Sequence, residues 1–257
     1  MFRKQRRLVI SKHNTYFGYQ KILLEEKEKK VGAVFNSVVN KYDMMNDLMS
    51  LGIHRLWKRI AINNCAIIPG DIILDLAGGT GDLTILFSEK LNGVGEIYLS
   101  DINRNMLNFA KKRLFEKGII EQVKFVQVNA EQLAFPRNAF DCISIGFGLR
   151  NVTHKQAALK NMYRVLKFGG KLMILEFSQP TNSYFGAVYD LYSFSVLPKL
   201  GDLICKDPES YQYLVESIRM HPDQETLKEM MESAGFENCT YKNLTGGIAA
   251  IHMGYKL

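Results

Sequence analysis

Apolar and polar positions change period near residue 70. Before it, Val31, Val34, Phe35, Val38 and Val39 recur at helical spacing, which predicts a helical segment over residues 20–66. After it, short apolar runs alternate with helix-periodic stretches. The runs Ile72–Leu76, Glu96–Ser100, Val123–Val128, Phe140–Ile145 and Lys171–Phe177 read as strands. Helices are expected over Asp82–Asn92, near Arg104–Lys117 and over 154–166, with a tight turn at Gly169-Gly170 leading into the fifth strand. Such alternation requires parallel strands with helices on both faces. The chain then closes with a helix over Thr226–Ala234, Gly235 just past its end, and strands at Glu237–Lys242 and Ile248–Tyr255. Gly246-Gly247 lies between those two strands, which implies an antiparallel hairpin at the edge of the sheet. The expected fold class is α/β: a Rossmann-like, mostly parallel seven-stranded sheet that ends in an antiparallel hairpin.

One segment breaks the alternation. Residues 178–225 are rich in aromatics, among them Tyr184, Phe185, Tyr189, Tyr192, Phe194, Tyr211 and Tyr213. Aromatics at helical spacing usually belong to a core. An insert after the fifth strand also sits over the carboxyl ends of the strands, where ligands bind, so a substrate lid is the functional reading. With no repeat or low-complexity linker, the chain reads as a basic arm (1–19) and one domain (20–257). That domain carries a helical lid (20–66) and the aromatic insert (178–225).

A length of 257 residues with 47% hydrophobic content suits one α/β domain with embellishments. No apolar run reaches the ~18 residues of a membrane span, and Lys12, His13 and Asn14 interrupt the apolar start that a secretory signal needs. The net charge of +7 is unevenly placed. Residues 1–30 hold nine Lys/Arg against three Glu, while the other 227 residues carry a net of only +1. The basic character therefore belongs to a leading arm, solvated or touching anionic lipid, and nucleic-acid binding along the body is not expected. Cys65, Cys142, Cys205 and Cys239 form no CxxC pair, which points to a reducing compartment with no disulfide framework and no metal site.

The candidate chemistry lies in Asp75-Leu76-Ala77-Gly78-Gly79-Thr80-Gly81-Asp82, a strand end, a glycine turn and a helix start. Glycines let a ligand approach the backbone, and the free N–H groups of a helix start favour an anionic group. Dinucleotide folds use something similar, so the turn alone is ambiguous. Asp101 ends the second strand 20 residues after Gly81, about the interval at which an acid meets a ribose hydroxyl pair. Asn129, followed by Ala130, ends the third and suits an adenine edge. Three successive strand ends of this kind read as an S-adenosyl-L-methionine (AdoMet) site on a class I methyltransferase fold, and Gly79 and Thr80 would face the methionine part.

Beyond that site, Tyr42-Asp43-Met44-Met45-Asn46-Asp47-Leu48-Met49-Ser50-Leu51-Gly52-Ile53-His54-Arg55-Leu56-Trp57-Lys58 resembles the first signature of the ubiquinone/menaquinone-biosynthesis C-methyltransferase family. Phe147-Gly148-Leu149-Arg150-Asn151-Val152, the stretch from Arg164 to Ser178, and Glu216 to Gln224 resemble its later motifs, and the resemblance runs from about residue 16 to the end. It implies methyl transfer from AdoMet to a ring carbon of a polyprenylated quinol: demethylmenaquinol, and the methoxy-benzoquinol precursor of ubiquinone. The cofactor positions it implies are Thr80, Asp101, Asn129 and Ala130. Two departures stand out: Gly146 replaces the family's usual serine, removing a hydroxyl contact to the cofactor, and Phe168 replaces a proline before Gly169-Gly170.

A quinol ring becomes nucleophilic when a hydroxyl loses its proton, so the site needs a proton acceptor or a cation that favours phenolate. Arg150 and Asn151, after the fourth strand, are the catalytic candidates. The bland readings are an Arg150–Glu176 pair that only holds the loop and an Asn151 helix cap. His154 reads as a surface residue, and Tyr42 and Asp43 as lid residues that enclose substrate. The substrate's tail implies transient contact with a membrane surface. The expected location is cytoplasmic, peripheral at the inner face of a bacterial membrane. The Arg-rich start faintly resembles an organelle transit peptide, and the bacterial family argues against mitochondrial targeting. A homodimer, or association with other quinone-biosynthesis enzymes, stays open. The rival readings are an RNA or protein methyltransferase, whose Asp/Asn-Pro-Pro-Tyr motif is absent after strand four, and a non-catalytic organiser of a quinone-synthesis complex.

Overall fold

The computed structural model describes residues 14–39, 42–119, 121–182, 191, 195 and 208–257. A strand pair, β1 (Asn14–Phe17) and β2 (Gln20–Leu23), precedes helices α1 (Leu24–Val38), α2 (Tyr42–Ser50) and α3 (His54–Asn64). Alternation follows as β3 (Ile72–Leu76), α4 (Asp82–Leu91), β4 (Glu96–Asp101), α5 (Arg104–Glu116), β5 (Val123–Gln127), β6 (Phe140–Gly146), α6 (Lys155–Val165) and β7 (Leu166–Phe177). The chain ends with α7 (Pro208–Arg219), α8 (Gln224–Ser233), β8 (Glu237–Leu244) and β9 (Ala249–Tyr255).

The main sheet has seven strands in the order β5-β4-β3-β6-β7-β9-β8. Strands β3 to β7 run parallel, while β9 is antiparallel to both β7 and β8. This is the expected mostly parallel sheet with its terminal hairpin. Alternate side chains of β3 enter different cores: Ile73 joins Trp57, Phe87 and Leu99 on one face, and Leu74 and Leu76 join Ile143, Leu159 and Ile174 on the other. Both faces are buried, which explains why the central strands read as continuous apolar runs. The strand order reverses between β3 and β6, so a crevice opens there at the carboxyl ends.

Two sequence expectations need correction. Residues 20–23 are not helical: Gln20–Leu23 pairs with Asn14–Phe17 across a two-residue turn in which Gly18 has φ +57°. Four-residue strands are too short to show periodicity beside a helix that begins at the next residue. The ordered hairpin also crosses the boundary set at residues 19 and 20. Gly169-Gly170, in turn, does not make a separate turn. Strand β7 begins at Leu166 and runs through both glycines, with a register irregularity against β6 between Phe140 and Cys142. Lys256 satisfies the irregular backbone: Gly169 N–H donates to its carbonyl (2.7 Å) and its own N–H donates to Gly170 O (3.0 Å).

The amino-terminal signature stretch is a clamp between α2 and α3. Leu51 and Gly52 take positive φ, Ser50 Oγ accepts from His54 N–H, and Asp47 carries both His54 and Arg55. Trp57 Nε1–H then docks α3 on Thr245 Oγ1 at 2.9 Å. Tyr42 and Asp43 open α2, and their side chains lie outside those described. Of the insert aromatics, Tyr184, Phe185, Tyr189, Tyr192 and Phe194 lie outside the described residues, while Tyr211 and Tyr213 are buried on α7.

Candidate active site

Two strand ends frame the crevice. Just past β3 and β6, Ala77 (φ +53°) and Phe147 (φ +56°) adopt left-handed backbone, strained for residues with side chains and common where a fold holds a functional turn. Gly79 (φ +54°) follows Ala77, and a Cβ there would meet nothing closer than 4.0 Å, so its open side faces free space. Gly148 is the opposite case. A Cβ on it would lie 2.6 Å from Ala77 Cβ, so only glycine lets these two turns lie together.

Asp101 closes β4 beside the glycine turn. Its Oδ2 accepts from Gly79 N–H (3.0 Å) and its Oδ1 from Asn103 N–H (2.8 Å), which fixes the carboxylate at the crevice. Burial raises its pKa to about 6, although those backbone N–H groups pull the other way. Asn129 Oδ1 accepts from Glu131 N–H (2.9 Å), shaping the turn past β5 that presents Ala130. Asp101, Asn129, Ala130 and Gly79 all line one cavity of about 370 Å³.

That cavity continues to the loop after β6 and to α1. Asn151 lines it and its Oδ1 accepts from Tyr213 O–H (2.9 Å), so this asparagine is not a helix cap; His154 holds the cap position of α6. Arg150 lies beneath. Its side chain is fully buried, with Nη1 donating to Glu176 Oε1 (2.7 Å) and Phe147 O (2.6 Å), while Glu176 Oε2 accepts from Arg150 N–H. Tyr213 has its hydroxyl pKa pushed up to about 12, by burial first and by Glu176 next, against the pull of Arg150. His154 is exposed and lines the cavity rim. Helix α1 is pinned across the opening, because Asn36 Oδ1 accepts from both Asn103 Nδ2 (2.9 Å) and Asn105 Nδ2 (3.0 Å).

Thr80 is placed differently. It lines a smaller hollow of about 20 Å³ with Lys58, Asp82, Gly146 and Phe147. There Asp82 binds Lys58 and Arg113, and these cations outweigh burial to hold its pKa at about 2. Asp75 is fully buried below, accepting from Thr84 Oγ1 (2.7 Å) and Ser144 Oγ (2.9 Å), with a pKa raised by burial to about 6. It holds the turn through these hydroxyls. A Cβ at Gly146 would lie 2.8 Å from the methyl end of Leu83, so that side chain fills the space of the serine expected there.

Sequence reasoning missed several residues here. Lys27 and Val31 reach the cavity only because α1 folds over it, and Tyr213 reaches Asn151 from 62 residues away. The glutamate at 131 could have been suspected from its place just after Asn129. Its carboxylate accepts from Thr153 and His154 N–H groups and so ties the third strand end to the loop after β6.

The residues present fit a nucleoside cofactor: a fixed carboxylate for a hydroxyl pair, apolar Ile102, Val128 and Ala130 for a flat base, and an open glycine turn. The sheet order and this edge define the class as a Rossmann-like, AdoMet-dependent methyltransferase. A solved AdoMet-dependent methyltransferase from Aquifex aeolicus superposes with a TM-score of 0.61 at 16% identity, over 83% of this chain and 97% of that one. The [4+2]-cyclase SpnF gives 0.65 at 15% identity, over 89% and 96%, so fold alone does not specify the reaction. Residues 23–256 match the ubiE/COQ5 methyltransferase family, and the chain belongs to it. Two relatives, the "Ubiquinone/menaquinone biosynthesis C-methyltransferase UbiE" proteins of Yersinia enterocolitica and Yersinia pestis, are each 57% identical over 245 residues. Each alignment covers 95% of this chain and 98% of the relative. The chain is thus a C-methyltransferase whose methyl donor is AdoMet.

Proposed function

We propose that this chain methylates a ring carbon of a polyprenylated quinol, the step named for its Yersinia relatives in ubiquinone and menaquinone biosynthesis. One observation carries the reading: the cavity lined by Asp101, Asn129 and Ala130 is continuous with the loop that bears Asn151, so donor and acceptor share one crevice. When bound, AdoMet supplies an electrophilic methyl on a sulfonium whose departure leaves a neutral thioether. Asp101 accepts the ribose hydroxyls, Asn129 and Ala130 meet the adenine edge, and Gly79 and Thr80 turn their backbone towards the amino-acid end.

The acceptor needs a carbon nucleophile. Loss of one ring-hydroxyl proton to water leaves a phenolate, whose electron pair reaches the adjacent carbon. That carbon forms the new C–C bond, and loss of its hydrogen as a proton restores the aromatic ring. Asn151 is catalytic in this scheme: Tyr213 fixes its amide through Oδ1, leaving the NH₂ group to donate to a ring oxygen. Arg150 is the positioning residue beside it, since its guanidinium and backbone N–H lock the turn onto Glu176.

The prenyl tail sets where this happens. At about 0.8 kcal/mol per buried CH₂, drawing a tail of tens of carbons out of lipid costs on the order of tens of kcal/mol. A 370 Å³ cavity offsets little of that, so the ring enters while the tail stays in the bilayer. Incubation with labelled AdoMet and reduced, short-tailed demethylmenaquinol or methoxy-benzoquinol tests the proposal. Label should enter the reduced rings and spare the oxidised quinones, which lack an ionisable hydroxyl. Equal labelling of both redox forms refutes the mechanism.

A further inference from the structure

Lys27 sits on the inner side of α1 and lines the same cavity as Asn151, Asp101 and Glu131. It is only 8% exposed, yet it makes no hydrogen bond or ion pair with any described residue. Lysines this buried are ordinarily paired, because an ammonium withdrawn from water without a counter-charge costs several kcal/mol. A flexible lysine normally escapes by extending its head group to solvent. Here Asn36 holds the helix across the opening, and Lys27 lines the cavity beneath it.

Several neighbouring side chains are already engaged. Glu176 is taken by Arg150, and Glu131 accepts from the Thr153 and His154 N–H groups. Lys155 is spent on structure, donating to Val152 O (2.9 Å) and Arg150 O (3.3 Å). Among the described residues that line the cavity, Lys27 is the only Lys or Arg, and it makes no hydrogen bond or ion pair with any of them. The strain registers on the lysines. Burial lowers the pKa of Lys27, against the pull of Glu131, and burial with repulsion from Lys27 lowers that of Lys155 to about 8.

We propose that Lys27 is a catalytic residue of the methyl transfer, the ammonium on α1 that binds the acceptor's ionised ring oxygen. The inference rests on the quinol reading above and adds its missing cation. The ring hydroxyl gives its proton to water, and Lys27 holds the resulting phenolate by a charge-assisted hydrogen bond without itself changing protonation state. Because the cation arrives on the covering helix, the acceptor is activated only where α1 lies over the crevice, next to the donor.

The test uses the full-length protein with S-adenosylhomocysteine and 2-methoxy-4-nitrophenol, whose phenolate absorbs visible light. Bound probe should ionise at a pH at least ~1 unit lower in the wild type than in Lys27→Met, equivalent to about tenfold in phenolate affinity. Lys27→Arg should retain most of that shift. Other groups titrate nearby, namely Glu28 on α1, Glu131, His154, Lys155 and Asp101. The shift must therefore follow position 27 alone, with AdoMet affinity held within about twofold in all three proteins. Methyl transfer by Lys27→Met to a reduced short-tailed quinol should fall at least tenfold near neutral pH and recover at alkaline pH, where the free phenol ionises unaided. Identical probe titrations in wild type and Lys27→Met overturn the proposal. So does a parallel loss of AdoMet affinity, which would assign the lysine to the donor's carboxylate. Wild-type protein that ionises the probe through Lys27 but methylates no quinol overturns the substrate reading alone.

Discussion

Asp101, the proposed acceptor of a hydroxyl pair, lies at the crevice, where burial lifts its pKa to about 6 from the usual 3.8. The folded chain therefore binds more protons than the unfolded one between these values, and this group's contribution to stability falls as pH rises through that window. In the proposed role cofactor binding should have the opposite dependence, since only the ionised form accepts from both hydroxyls. AdoMet affinity should weaken several-fold as pH drops from about 7.5 to about 5.5, and Asp101→Asn should bind weakly with a flat profile by calorimetry. A wild-type affinity independent of pH would remove Asp101 from hydroxyl recognition. Asp82 works the other way. Lys58 and Arg113 hold its pKa down at about 2, so its stabilisation, about 2 kcal/mol, is full above pH 3.8 and lost as pH falls towards 2. The position of Asp101 was legible from its spacing to the glycine turn. Its grip on Gly79 N–H was not, because that contact spans two strands.

Among the elements, the β1–β2 hairpin and α7 bear on Asn151 although neither touches the cofactor edge. Phe17 stacks on Tyr213 with ring centroids 4.1 Å apart, Tyr19 N–H donates to Glu216, and Tyr213 O–H reaches Asn151. A neutral hydrogen bond of this kind contributes about 1 kcal/mol, or roughly fivefold in a rate that depends on it. Tyr213→Phe should accordingly lower kcat about fivefold while leaving AdoMet affinity unchanged, as steady-state kinetics beside calorimetry would show; an unchanged kcat separates the tyrosine from the amide's orientation. None of this pairing shows in the sequence. The hairpin is too short for a period-2 signal, and Tyr213 reads equally well as core. The parallel strands were readable because burial on both faces demands apolar runs.

For the molecule as a whole, the sheet order gathers the candidate site at one edge, and most of the net charge lies in the first 30 residues. No helix among the described residues is long and apolar enough to cross a membrane. Residues 1–30 carry a net charge of +6. If the tail stays in lipid, the protein should float with anionic liposomes and lose that association as salt screens the charge. Deleting residues 1–13, which leaves the hairpin intact, should cut flotation. Equal binding by both forms takes the arm out of the account.

The sequence by itself determined the strand alternation, the glycine turn, the acid and the asparagine on successive strand ends, and the motifs that mark the family. These are local or evenly spaced features, set by backbone conformation and two-sided burial. Only the tertiary structure decided that Arg150 is spent on Glu176, that Thr80 lines an adjoining hollow, and that Lys27 lines the cavity with no hydrogen bond or ion pair to a described residue. Those outcomes depend on which helices cross which strand ends, and no spacing along a chain encodes a contact made by folding back over it.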